Sequence, residues 1–187
     1  NQGEIDTLYT RLGGYPRLLT MTKAYQAEAL AKNQPLLLLH GGDAWQGSGY
    51  FKLNEGMANA ELLSQFGLDA IALGNHEFDL DNQKLARFIQ GVNFPVLAAN
   101  LDSRDDPDLS RASNLKPFVI YAFDGNQKSP VTDLDHLPAD KQLVAVIGLV
   151  LEDMANISPN VGKLRFAKEV ASAQATVDLL QARGIQR

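Results

Sequence analysis

The sequence predicts an α/β domain with a mostly parallel sheet flanked by helices, and two observations carry that expectation. Short apolar runs bounded by proline or glycine, Leu36-Leu37-Leu38-Leu39, Ala70-Ile71-Ala72-Leu73 and Pro95-Val96-Leu97-Ala98-Ala99, have the length and evenness of strands covered on both faces. Between them, apolar residues recur at three- and four-residue intervals, the spacing of amphipathic helices. Strands alternating with helices over residues 15–100 imply parallel pairing through right-handed crossovers.

The elements follow in order. Pro16 suits a first helical turn, and Leu18, Leu19, Thr22, Tyr25 and Ala29 continue that helix until Asn33 and Pro35 stop it. The leucine run is then read as a central parallel strand. A helix opens near Asn54, carries Met57, Ala60, Leu62, Leu63 and Phe66, and closes on Gly67, ahead of the strand at 70–73. Asp81 can cap a third helix with Leu85, Phe88 and Ile89 on one face, followed by the strand at 95–99. The acidic stretch 102–108 lacks the spacing of a calcium helix-loop-helix and is read as a solvated loop. Strands at 118–123 and 143–147 flank a polar insert and suggest a hairpin with a long tip. A helix from about Ala167 turns Val170, Ala173, Val177 and Leu180 inward and ends at Gly184, and Ile185 would begin a further strand.

Composition narrows the chemistry. The 187 residues are 45% hydrophobic and 21% charged, enough for one domain with a real core, so residues 1–187 are taken as a single unit with no second domain. A formal charge of −5 gives no general attraction for a nucleic acid polymer or an anionic membrane; any phosphate must be met locally, with metal ions the natural means. The absence of cysteine excludes disulfides, thiolate zinc sites and cysteine nucleophiles. No apolar run approaches the roughly 18 residues of a membrane span, and Asn1-Gln2-Gly3-Glu4 has none of the marks of a signal peptide.

Ligands bind outside the carboxyl ends of parallel strands, and two loops stand there. Gly41-Gly42-Asp43-Ala44-Trp45-Gln46-Gly47 follows the leucine strand, and Gly74-Asn75-His76-Glu77-Phe78-Asp79 follows the next. Asp43 and Asn75 lie about one strand-helix-strand unit apart, which brings both loops to one sheet edge. A carboxylate can bridge two divalent cations and an amide oxygen can complete the shell of one, so Asp43 and Asn75 are candidate metal ligands. Two metals about 4 Å apart would activate water and clamp phosphate oxygens. His76 is then placed to assist a leaving oxygen, with Asp79 fixing its tautomer.

Each residue also has an ordinary reading: Asp43 as a turn or cap residue, Asn75 as a turn residue, Asp79 as a helix cap. The combination is what favours chemistry. His40 is read as packed or backbone-bonded, and His136 as solvated. Trp45 and Tyr50 could form a substrate wall or pack beneath the loop, and Asn100 could make supporting hydrogen bonds or simply turn the chain.

With these motifs in place, the sequence resembles the 5′-nucleotidase and UDP-sugar hydrolase family of calcineurin-like dinuclear metallophosphoesterases. Gly42-Asp43-Ala44-Trp45-Gln46-Gly47 is similar to its Gly-Asp-x-x-x-Gly block, and Gly74-Asn75-His76-Glu77-Phe78-Asp79 to its asparagine-histidine block. Gly13-Gly14, Phe94 through Asn100, Leu115-Lys116-Pro117 and Val146-Ile147-Gly148-Leu149 extend the likeness over nearly the whole chain. The resemblance implies the layered metallophosphoesterase fold and two divalent metal ions (Mn, Zn, Mg or Co). It implies that Asp43 bridges both metals, Asn75 binds the second, and His76 with Asp79 forms the catalytic dyad.

The implied activity is hydrolysis of phosphate monoesters, 5′-nucleotides or nucleotide sugars, by a metal-bridging hydroxide. The family's earlier Asp-x-His strand and its later Ser-His and Gly-His-x-His blocks have no counterpart here. The chain is therefore read as a partial catalytic domain, truncated at both ends, inactive alone and completed in its parent by a C-terminal substrate-binding domain. The resemblance implies a periplasmic or extracellular location. The alternatives are a 2′,3′-cyclic nucleotide phosphodiesterase or related hydrolase of the same superfamily, and a catalytically silent nucleotide-binding or interaction module.

Overall fold

The computed structural model describes residues 13–47 and 49–185. Their first half alternates as expected: α1 (Tyr15–Ala31), β1 (Leu39–His40), α2 (Gly49–Asn54), α3 (Met57–Leu63), β2 (Ala70–Ala72), a short 3-10 helix (His76–Phe78), α4 (Asn82–Gly91) and β3 (Val96–Leu97). Then come β4 (Leu101–Asp102), β5 (Leu115–Lys116), β6 (Phe118–Asp124), β7 (Gln127–Pro130), β8 (Gln142–Ile147), α5 (Met154–Ile157), β9 (Arg165–Phe166) and α6 (Glu169–Ala182).

Strands β1, β2, β3 and β5 form a parallel sheet in that spatial order, with Leu39 opposite Ala70, Ile71 opposite Val96, and Val96 opposite Leu115. Strand alternation sends successive side chains to opposite faces. Ile71, Leu73, Val96 and Ala98 face one core with Leu85, Phe88 and Ile89 of α4, Leu63 of α3, Trp45 and Phe78. Ala70 and Leu97 face a second core with Val119, Tyr121 and Phe123 of β6. The domain thus has three layers: helices, the parallel sheet, and an antiparallel sheet of order β7-β6-β8. The small β4–β9 pair lies apart from both sheets.

The Asp81 carboxylate accepts from the Lys84 backbone amide at 2.9 Å and caps α4, as predicted. Gly67 takes the left-handed backbone expected of it, φ 69°, but α3 ends earlier, at Leu63 with Ser64 as its C-cap, and leaves Phe66 outside the helix.

Other expectations are corrected. Among the described residues the leucine run forms an edge strand, not a central one: β1 pairs on one side only, and Leu39 is 52% exposed. An unbroken apolar run reports strand formation without saying which neighbours cover it. Asn54 ends α2 instead of opening a helix, because Glu55 and Gly56 both take positive φ and break the chain before α3. The acidic stretch 102–108 is a loop that is solvated for the most part, but Asp102 belongs to β4 and the Asp106 carboxylate is buried, accepting from the amides of Asp108 and Leu109.

The strands flanking the polar insert, β6 and β8, pair antiparallel as expected, but the insert is more than a tip. It supplies β7, which pairs with β6 on the side opposite β8. In α6, Thr176 and Leu180 are buried with Ala173 and Val177 beside them, while Val170 is 83% exposed one turn too early to reach the core. Ile185 is the last described residue and is not in a strand; the continuation expected through Gln186 and Arg187 falls outside the described residues.

Candidate active site

Because β1 and β2 run parallel in register, the loops that follow them leave the same edge of the sheet. They approach closely. A Cβ on Gly42, which has φ 96°, would lie 2.4 Å from the Gly74 amide nitrogen, so backbone meets backbone where only glycine fits. Two non-glycine residues of the first loop also adopt left-handed backbone, Asp43 at φ 54° and Gln46 at φ 78°. Such conformations cost on the order of 1–2 kcal/mol each unless something holds them.

The exposed Asp43 carboxylate accepts from the His76 backbone amide through Oδ1 at 3.1 Å, tying the two motifs directly. Asn75 is half-buried at the start of the 3-10 helix, and its side chain makes no hydrogen bond among the described residues. That tight helix places residues three apart on one face, so His76 Nδ1 meets Asp79 Oδ2 at 2.7 Å. Gln46 Nε2 donates to the same oxygen of Asp79. The Asp79 hydrogen bond is the main reason the His76 pKa is raised above its ordinary value. With Nδ1 so engaged and the side chain 44% exposed, Nε2 is the ring nitrogen left without that partner.

The structure brings together Asp43, Asn75, His76 and Asp79, all four candidates. It also adds a residue that sequence reasoning passed over. Glu77 is fully buried, and its carboxylate accepts backbone amides from both loops. The available signal was the glycine-rich backbone itself, whose turns leave amide hydrogens in need of an acceptor.

The remaining candidates resolve locally. His40 Nδ1 accepts from the Gly42 amide at 3.1 Å, the backbone-bonded reading, and burial lowers its pKa. Trp45 packs against Phe51 and Phe88, whereas Tyr50 is exposed. His136 is exposed and meets Asp133. Asn100 is buried and knits β3 to the later chain, accepting from the Val150 amide and donating to Val150 and Ala167 carbonyls.

As metal ligands, Asp43 and Asn75 supply a carboxylate and an amide oxygen, suited to hard or borderline divalent cations. Among the described residues no group of three or more His, Asp or Glu side chains is placed to hold one ion. By donor chemistry the pair could serve only as part of a larger ligand set. Beside Asp43 opens a cavity of about 640 Å³, bordered by Tyr15, His40, Gln46 and Tyr50.

No family profile matches the chain. Protein 5NUC of Lutzomyia longipalpis is 32% identical over 90% of this chain, and a 5′-nucleotidase of Diplobatis ommata is 30% identical over 86%. The chain spans about a quarter of the length of each, 26% and 25%. Among solved structures, the 5′-nucleotidase precursor from Thermus thermophilus matches with a TM-score of 0.77 and 30% identity, over 94% of this chain and 30% of that one. The calcineurin-like phosphoesterase YfkN from Bacillus subtilis shares the fold, with a TM-score of 0.60 at 23% identity over 89% of this chain and 50% of that one. The fold is thus that of the calcineurin-like phosphoesterases. Within that class, the chain is a homologue of the 5′-nucleotidases.

Proposed function

We propose that the chain carries part of the catalytic centre of a divalent-metal-dependent phosphomonoesterase acting on 5′-nucleotides or nucleotide sugars. The observation that carries this reading is the junction of the two loops: the His76 amide on Asp43 Oδ1 and the His76 ring on Asp79. Asp43 and Asn75 would hold two divalent ions together with ligands beyond these two. When bound, such ions supply Lewis acidity and lower the pKa of water. His76 Nε2 donates a proton or hydrogen bond to the departing ester oxygen, and Asp79 stabilises the protonated ring and fixes its orientation. Gln46 holds Asp79 in turn.

The cavity beside Asp43 falls within the range of roughly 300–1,000 Å³ found for small-molecule sites, which supports a substrate of nucleotide size. A separate substrate-binding domain in the parent chain, and a periplasmic or extracellular setting, are inferred from the kinship with 5′-nucleotidases. Among the described residues no helix is long and apolar enough to cross a membrane.

The test is phosphate release from AMP by the intact natural protein with manganese, compared with UDP-glucose and 2′,3′-cyclic AMP, before and after His76→Ala. Release from AMP that falls by about 10²–10⁴ with the substitution supports the reading. Preference for the cyclic substrate would replace it with a phosphodiesterase. A folded protein that neither takes up manganese nor releases phosphate would be a silent module.

A further inference from the structure

We propose that Glu77 is the positioning residue that locks together the two loops carrying Asp43 and Asn75. The inference rests on reading those two residues as metal ligands, and it adds the element that sets their relative position. Glu77 is 0% exposed and forms no salt bridge among the described residues. A buried carboxylate without compensation is strongly unfavourable, so its partners reveal its role. All of them are backbone amides. Oε2 accepts from Gly74 at 2.7 Å and from Asp43 at 2.9 Å; Oε1 accepts from Ala44 at 2.6 Å and from Trp45 at 3.3 Å.

The distribution of these bonds matters more than their number. One donor lies in the loop after β2, and three successive donors lie in the loop after β1. A left-handed residue in a turn aims successive amide hydrogens toward one side of the chain, and Asp43 with φ 54° lies at the start of these three donors. That convergence makes a cup for an anion, and the protein fills the cup with its own side chain. Asp43 is therefore held from beneath by its amide, while its carboxylate points to the open side and meets His76. With both oxygens engaged and no exposure, Glu77 does not itself reach a substrate or a metal.

A glutamine at this position keeps the shape but offers one acceptor oxygen and an NH₂ group, which would face amide donors. The test measures amide hydrogen exchange by NMR and manganese affinity by calorimetry on the intact natural protein, for wild type, Glu77→Gln, Glu77→Asp and Asp106→Asn. Asp106 is a comparably buried carboxylate that accepts loop amides away from the site, and so controls for a merely structural effect.

In Glu77→Gln, exchange at the Gly74, Asp43 and Ala44 amides should quicken at least about tenfold while Ile71 and Val96 stay protected. Manganese affinity should fall about 10–100-fold, the usual effect of losing a group that orients ligands. Glu77→Asp, which retains the carboxylate, should recover part of both, and Asp106→Asn should leave manganese affinity unchanged. Should Glu77→Gln fail to fold, the wild-type protein still decides: loop amides exchanging at unprotected rates overturn the proposal. So does a Glu77→Gln variant with wild-type manganese affinity. Wild-type protein that takes up no manganese, yet loses loop protection on Glu77→Gln, sinks the metal reading and leaves the lock standing.

Discussion

Gly74 has no room for a side chain because Asp43 occupies the space: a Cβ there would lie 2.2 Å from Asp43 Oδ1 and 2.6 Å from its amide nitrogen. The backbone amide of Asp43, itself bonded to Glu77, cannot swing aside, so rotating the side chain would not remove the clash. Gly74→Ala should therefore displace Asp43 and cost about 1–3 kcal/mol of stability by overpacking. A displacement near 1 Å can cost about 10²-fold in rate. Thermal unfolding and phosphate release from AMP measured together check this, and an alanine variant with wild-type values for both would refute the tight junction.

The His76–Asp79 pair predicts a separation of roles. Asp79→Asn should leave substrate KM near wild type while lowering kcat, because the aspartate acts through the ring and not on the ground-state ester. Loss in KM alone would assign Asp79 to substrate binding instead.

The two loop histidines should titrate on opposite sides of the ordinary value of about 6.5. His76 is raised, first by its hydrogen bond to Asp79, and His40 is lowered by burial. The sign for stability follows. The His76 contribution is complete below about 6.5 and fades as pH rises through its higher folded value; the His40 contribution is complete above about 6.5 and fades as pH falls toward its lower one. NMR titration of the ring protons reads both directly, and Asp79→Asn should move His76 downward while leaving His40 in place.

Asp69 should be the main pin between the two sheets. Just before β2 its carboxylate accepts from the Leu38 amide at 2.7 Å and pairs with Lys128 of β7 at 2.5 Å, while its carbonyl accepts from Tyr121 of β6 at 2.6 Å. Burial pushes the Tyr121 phenol up to about 12, so it remains a donor through the working pH range. Tyr121→Phe and Asp69→Asn should each lower stability by about 1–3 kcal/mol, the cost of a buried polar group left without its partner. Urea unfolding midpoints measure this, with phosphate release from AMP expected to persist below the transition.

Much of this architecture was legible in the sequence because it depends on local pattern. The strand at 70–73, the Asp81 cap and the helix around Leu85 and Phe88 follow from short-range spacing, and the co-location of Asp43 with His76 follows from one crossover. What escaped has no pattern of its own in the residues concerned. β5 contributes only Leu115 and Lys116 to a ladder, too few to show a pattern, and the exposed β7 has no apolar alternation to advertise its pairing with β6. The edge position of β1 among the described residues and the outward turn of Val170 are likewise set by neighbours rather than by the residues themselves. Glu77 was visible as a letter in a motif, yet its work is done by amides, which every sequence carries equally.

The left-handed backbone at Asp43 and Gln46 places this loop in tension with selection for robustness. Glycine at either position would relax the backbone, and a screen rewarding heat tolerance alone would favour such exchanges. Each would remove the oxygen proposed to meet metal or the amide that steadies Asp79. Engineering for endurance would thus erode chemistry first at the residues whose conformation is least comfortable.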